Sequence, residues 1–182
     1  NDTLKTFQSF ASLQFSLDSP DEYGLSSINK DSLVSSNSSR ISLLANAIKI
    51  TPQLFPSLSV VFETAISKLN IQANIECFVI DSPESNAFCL SMNGDVDALL
   101  LLTSRMIELL NENELSFVVG HEIGHFIFKH NYYPSVTTGE NGLRELNILE
   151  LSRASEISAD RIGFLCGASI EDVIRGMIKI AS

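Results

Sequence analysis

Apolar residues recur along this chain with two different periods, and the changes of period divide it into elements. Over residues 52–70, Leu54, Leu58, Val61, Phe62, Ala65, Ile66 and Leu69 return every three or four positions, which predicts an amphipathic helix. Residues 75–80, 87–92 and 98–103 are short apolar runs bounded by the turn chemistry of Asp81-Ser82-Pro83-Glu84-Ser85 and Asn93-Gly94-Asp95, and they read as three strands. Residues 105–110 fit a short helix. Asn111, with Glu114 three positions on, forms a capping-box start for a longer helix expected to reach about residue 130. Residues 132–142, with Pro134 and two glycines, form a loop. A second long helix spans about 143–166 and stops at Gly167, and Ser169 with Asp172 starts a last one.

The first 45 residues differ in texture. They are serine-rich, with Leu4, Phe7, Phe10, Leu13 and Leu17 at the spacing of a short helix that Asp18-Ser19-Pro20-Asp21 would end, followed by a linker over residues 35–39. The chain therefore divides into an N-terminal helical and serine-rich arm, residues 1–45, and a domain over residues 46–182. The order of elements predicts an α+β fold: a small mixed sheet beside a long helix, backed by further helices. A length of 182 residues with 45% apolar content supports one compact core and excludes a disordered chain. The net charge of −10 argues against nucleic acid and anionic lipid as partners. No apolar run approaches the about 18 residues of a membrane-spanning helix. Cys77, Cys89 and Cys166 have apolar neighbours and read as buried thiols, a Cys77–Cys89 bridge between adjacent strands being the alternative. The absence of C-x-x-C speaks against a cysteine zinc site. The first residue is Asn1, so the chain reads as a processed product or an excised fragment. A cytoplasmic location is expected, or a periplasmic one if Asn1 is a processed start.

Chemistry concentrates in His121-Glu122-Ile123-Gly124-His125, an H-E-x-x-H motif. With about 100° of rotation per helical residue, His125 stands about 40° from His121 and Glu122 about 100° from it. Both imidazoles thus reach one point outside the helix, as zinc requires of nitrogen ligands. The offset carboxylate of Glu122 can hold the attacking water instead. By the same rotation Leu115, Val119, Ile123, Phe126 and Ile127 face the core. His130 falls opposite the zinc pair and reads as structural. Gly120 and Gly124 form a small-residue stripe where another backbone can approach. The bland alternative is a chance pair of helical histidines. Catalytic zinc usually takes three protein ligands. The metzincin pattern needs a glycine at 128 and a histidine at 131, where this chain has Phe128 and Asn131. The better third ligand is Glu156, with Asp160 one turn on to accept a hydrogen bond from a ligand imidazole. Arg153 and Gly163 share that face. Taken without the first motif, Glu156 and Asp160 would read as a solvated acidic face.

These residues resemble the gluzincin family of the CAAX prenyl endopeptidases and HtpX-like peptidases. The resemblance is carried by Asn86-Ala87-Phe88, Leu102-Thr103-Ser104, Asn113-Glu114-Leu115 leading into His121-Glu122-Ile123-Gly124-His125, and Arg153-Ala154-Ser155-Glu156-Ile157-Ser158-Ala159-Asp160-Arg161-Ile162-Gly163. It covers roughly residues 50–182. It implies a zincin-like fold, one zinc per chain between the two long helices, and Asn86, Ala87 and Phe88 lining the cleft as a strand that binds substrate. The implied activity is a zinc-dependent endopeptidase acting through a metal-activated water on peptides or unfolded proteins, with Glu122 as the base. A zinc-bearing binding or regulatory module with a blocked or incomplete cleft is the alternative. The family's best-known members carry membrane spans that this chain lacks, so it looks like a soluble branch. Its segments between the two long helices and after the last helix are short beside those of many members of that family. Tyr132, Tyr133 and Arg161 are then the candidates for stabilising the oxyanion.

Overall fold

A computed structural model describes residues 45–132, 142–167 and 169–181. The expected N-terminal helix and linker, and Tyr133, lie outside these residues. The chain runs β1 (Ala47–Lys49), α1 (Pro56–Lys68), β2 (Ile75–Ile80), β3 (Ala87–Ser91), β4 (Ala98–Thr103), α2 (Ser104–Leu109), α3 (Glu112–Ile127), a 3₁₀ turn (His130–Tyr132), α4 (Gly142–Cys166) and α5 (Ile170–Ile180). The four strands lie in the order β1-β2-β4-β3. β1 pairs antiparallel with β2, β2 parallel with β4, and β3 antiparallel with β4 in the register Ala87↔Leu102. The sheet is therefore mixed. Its central strand, Ala98–Thr103, is buried at every position, which is why it reads as an uninterrupted apolar run.

The two faces of the sheet carry different cores. Ala87, Cys89, Leu100 and Leu102 point to one face, where Val61, Ala65, Leu115, Val118, Val119 and Ile123 from α1 and α3 cover them. On the other face Phe78, Ile80, Val96, Leu99 and Leu101 form a second cluster, with Phe88 and Leu90 packed beside it. Cys77 and Cys89 both pair with Leu100, one from each side. They are thus separated by two strand spacings, about 9.5 Å, against the 7 Å or less that a disulfide spans. The bridge considered from sequence is excluded because β2 and β3 are not neighbours, and all three cysteines are free and buried.

Helix starts follow the expected chemistry. Pro56 opens α1, so the helix begins later than residue 52 and leaves Leu54 exposed. Asn111 Oδ1 accepts from Glu114 N–H at 3.0 Å, and the Glu114 carboxylate accepts from Asn111 N–H at 2.9 Å, completing the capping box of α3. Ser169 Oγ accepts from Asp172 N–H at 3.1 Å at the start of α5. β1 was not expected, since three residues carry too little pattern to reveal a strand. Among the described residues no helix is long and apolar enough to cross a membrane.

Candidate metal centre and cleft

Two crossing helices build the site. On α3, Gly120 and Gly124 lie one turn apart. A Cβ on Gly120 would stand 2.7 Å from the Cys166 side chain, and one on Gly124 3.0 Å from Ala159 Cα. On α4, a Cβ on Gly163 would stand 2.8 Å from the Phe117 ring and 2.9 Å from Phe117 O. Glycine at these places lets the backbones approach closely, and this brings a carboxylate of α4 to the histidines of α3.

At the crossing, His125 Nε2 lies 3.0 Å from His121 Nε2. Glu156 Oε2 lies 3.4 Å from His121 Nε2 and 3.7 Å from His125 Nε2. Donors at about 2.05 Å around a tetrahedral ion are about 3.3 Å apart, so these three atoms have the separations of three corners of such a shell. Among the described residues they are the group suited to hold a metal ion. His121 Nδ1 is 2.9 Å from Asp160 Oδ1. With Nε2 turned to the centre, the proton belongs on Nδ1 and is donated to Asp160. Arg153 and Arg161, which share α4, are exposed, and Tyr132 is exposed as well.

The environment sets the charges. Burial disfavours a protonated His121, but the adjoining Asp160 and Glu156 carboxylates outweigh it and raise its pKa to about 10. A metal would therefore displace a proton from this ring. Burial likewise opposes ionised Glu156, yet its bonds to His121 and His125 hold it at about 2. For Glu122 burial prevails over the pull of both histidines, and its carboxyl is raised above the ordinary range. The Glu122 carboxylate also accepts from the backbone N–H of Cys89, which ties it to β3.

β3 is an edge strand of the described sheet. Asn86 O accepts from Thr103 N–H and Met92 N–H donates to Asp97 O, so the backbone groups of Asn86, Phe88 and Leu90 face β4. Those of Ala87 and Cys89 point the other way. Cys89 O accepts from Asn131 Nδ2 at 2.7 Å, and Ala87 N–H is held by Asn86 Oδ1 at 2.8 Å. The side chain of Phe88 belongs to the far face of the sheet, away from the histidines.

His130 departs from expectation. α3 ends at Ile127, and Lys129 takes the left-handed conformation, φ 56°. The chain doubles back, and His130 Nδ1 comes to 3.0 Å from His125 Nδ1. The rotation that put His130 opposite the zinc pair holds only within a continuing helix. Burial, and then the neighbouring His125, lower the His130 pKa to about 4. Ile127, expected in the core, is likewise exposed at the helix end.

Comparisons with known proteins point the same way. The model of Peptidase family M48 matches residues 52–143, just over half of the chain. That stretch holds His121, Glu122 and His125 and stops before Glu156. The Plastoglobule-localized metallopeptidase 48, chloroplastic, of Arabidopsis thaliana is 28% identical over 175 residues, covering 87% of this chain and 50% of that protein. A Protease HtpX homolog of Helicobacter acinonychis is 37% identical over 65 residues, 36% of this chain and 19% of that one. Protease HtpX of Nitrosococcus oceani is 42% identical over 50 residues, 28% of this chain and 17% of that one. The chain thus spans half the length of the plastoglobule protein and less of the other two. No solved structure matches.

Proposed function

This chain belongs to peptidase family M48, and we propose that it is a zinc-dependent endopeptidase of zincin-like fold in which His121, His125 and Glu156 hold one zinc and Glu122 is the base. The observation that carries this reading is the separation of the three donor atoms, 3.0, 3.4 and 3.7 Å. When bound, zinc would supply a Lewis acid for the scissile carbonyl and bring the pKa of a water to near 7.

The chain's own residues do the rest. Glu122 takes the proton of the attacking water and delivers it to the leaving amine, and a carboxyl raised by burial suits both transfers. Asp160 fixes the tautomer of His121. Asn86, Ala87 and Phe88 bind a peptide or unfolded segment as an added strand, with the outward Ala87 carbonyl as acceptor and Phe88 contributing backbone. The bond from Cys89 N–H runs to Glu122, so a peptide lying along β3 passes beside the base. That same bond favours a second reading: a zinc-bearing binding or regulatory module whose base is kept out of use.

Incubating the zinc-loaded chain with unfolded casein separates the two. Cleavage is expected, and Glu122→Gln should keep zinc while losing roughly 10²-fold or more in rate, the usual loss for a general base. Intact casein, or normal turnover by the variant, would sink the peptidase mechanism. Proline placed in turn at each position of a cleaved peptide should block cleavage at one or more of them, because it removes a ladder donor. Tolerance everywhere would refute strand pairing.

A further inference from the structure

The two histidines of the candidate centre are supported from different sides. His121 gives its Nδ1 proton to Asp160. Among the described residues no carboxylate takes that place at His125. Its Nδ1 faces Nδ1 of His130 at 3.0 Å. The other nitrogen of His130, Nε2, lies 3.2 Å from Ser158 Oγ. Ser158 Oγ in turn lies 2.9 Å from Ser155 O and 3.0 Å from Ala154 O. The His130 ring stacks on Phe128, with centroids 5.5 Å apart and planes 22° apart.

Proton bookkeeping gives this chain one direction. If His125 Nε2 offers its lone pair to a metal, the proton of the neutral ring is on Nδ1, which then donates. His130 Nδ1 must accept, so the His130 proton is on Nε2 and is donated to Ser158 Oγ. The Ser158 hydroxyl donates to a carbonyl of its own helix. His125 gives one proton and keeps Nε2 for the metal, while His130 and Ser158 each accept one and give one, and no step conflicts with another.

We propose that His130 is a positioning residue that orients His125 and fixes its tautomer through Nδ1, anchored on α4 by Ser158. The inference rests on the metal-site reading above. A neutral acceptor does this without adding a further negative charge to a centre that already carries Glu156 and Asp160. The left-handed turn at Lys129 makes the arrangement reachable, because it returns the chain to the helix end it has just left.

The test is zinc affinity of the full chain, by competition with a chelator, with circular dichroism to check folding. His130→Ala should bind zinc about 10–100-fold more weakly, as loss of such a partner typically does. His130→Asn, whose side-chain oxygen can accept in the place of Nδ1, should recover most of that loss. A purely structural role would not distinguish the two variants in zinc affinity. Equal affinity of wild type and His130→Ala, or an Asn variant as weak as Ala, overturns the inference while leaving the metal site standing. A wild-type chain that takes up no zinc overturns the metal reading and this inference together. Should His130→Ala fail to fold, ¹⁵N histidine spectra of the zinc-loaded wild type decide. The expected pattern is a protonated His125 Nδ1 with an unprotonated His130 Nδ1. A proton on His130 Nδ1 overturns the proposal.

Discussion

Glu156 and Asp160 are both acidic and stand one turn apart, yet they meet different atoms. Glu156 Oε2 faces both Nε2 atoms, whereas Asp160 Oδ1 faces His121 Nδ1. Glu156→Ala should lose zinc under mild chelation. Asp160→Ala should keep it with an affinity lower by about 10–100-fold. Titration of both variants against a chelator of known affinity checks this, and the reverse order would exchange the two roles. At this scale much of the candidate site was legible. Two histidines at i and i+4 converge wherever the helix is placed, so His121 and His125 needed no tertiary information. Glu156 needed the H-E-x-x-H motif beside it, because an acidic helix face taken alone usually means only solvent. His130 was missed because helical rotation was carried past the helix end. A hint was present: the chain's 3 histidines all fall between positions 121 and 130.

Helices α3 and α4 meet through glycines, and magnitudes decide what a substitution there would do. Alanine in a helix interior is favoured over glycine by about 1 kcal/mol. At Gly163 the added Cβ would overlap the Phe117 ring and backbone oxygen, and overpacking costs about 1–3 kcal/mol. Overlap with backbone outweighs propensity, so Gly163→Ala should destabilise the fold and, by moving α4 outward, weaken zinc binding. Urea unfolding and the chelator titration measure the two effects; a more stable variant with normal zinc affinity would contradict this packing. The close approach was expected from Gly120 and Gly124. The order of the strands was not. Alternating apolar residues reveal that a strand exists and which side is buried, but β2 and β4 are joined across a sequence gap that no local pattern encodes.

Over the whole molecule, α5 is locked to the start of α3 by charge. The Glu114 side chain is fully buried, and one of its oxygens lies 2.6 Å from Lys179 Nζ, the other 4.0 Å from Arg175 Nη1. Lys179→Met would strip a partner from a buried carboxylate and should cost about 1–3 kcal/mol, read as a lower urea midpoint at unchanged slope. An unchanged midpoint would mean that the contact contributes nothing. The sequence announced Glu114 as a cap only; a partner 65 positions away on α5 is invisible to local pattern. The edge at β3 also has a bearing on solubility. An unpaired strand edge recruits any extended chain, copies of itself included, and so seeds aggregation as readily as it receives substrate. Here the strand is five residues long, and its middle residue is already engaged on both sides, Cys89 N–H by Glu122 and Cys89 O by Asn131. An edge interrupted in this way denies another sheet the continuous ladder it would need to grow.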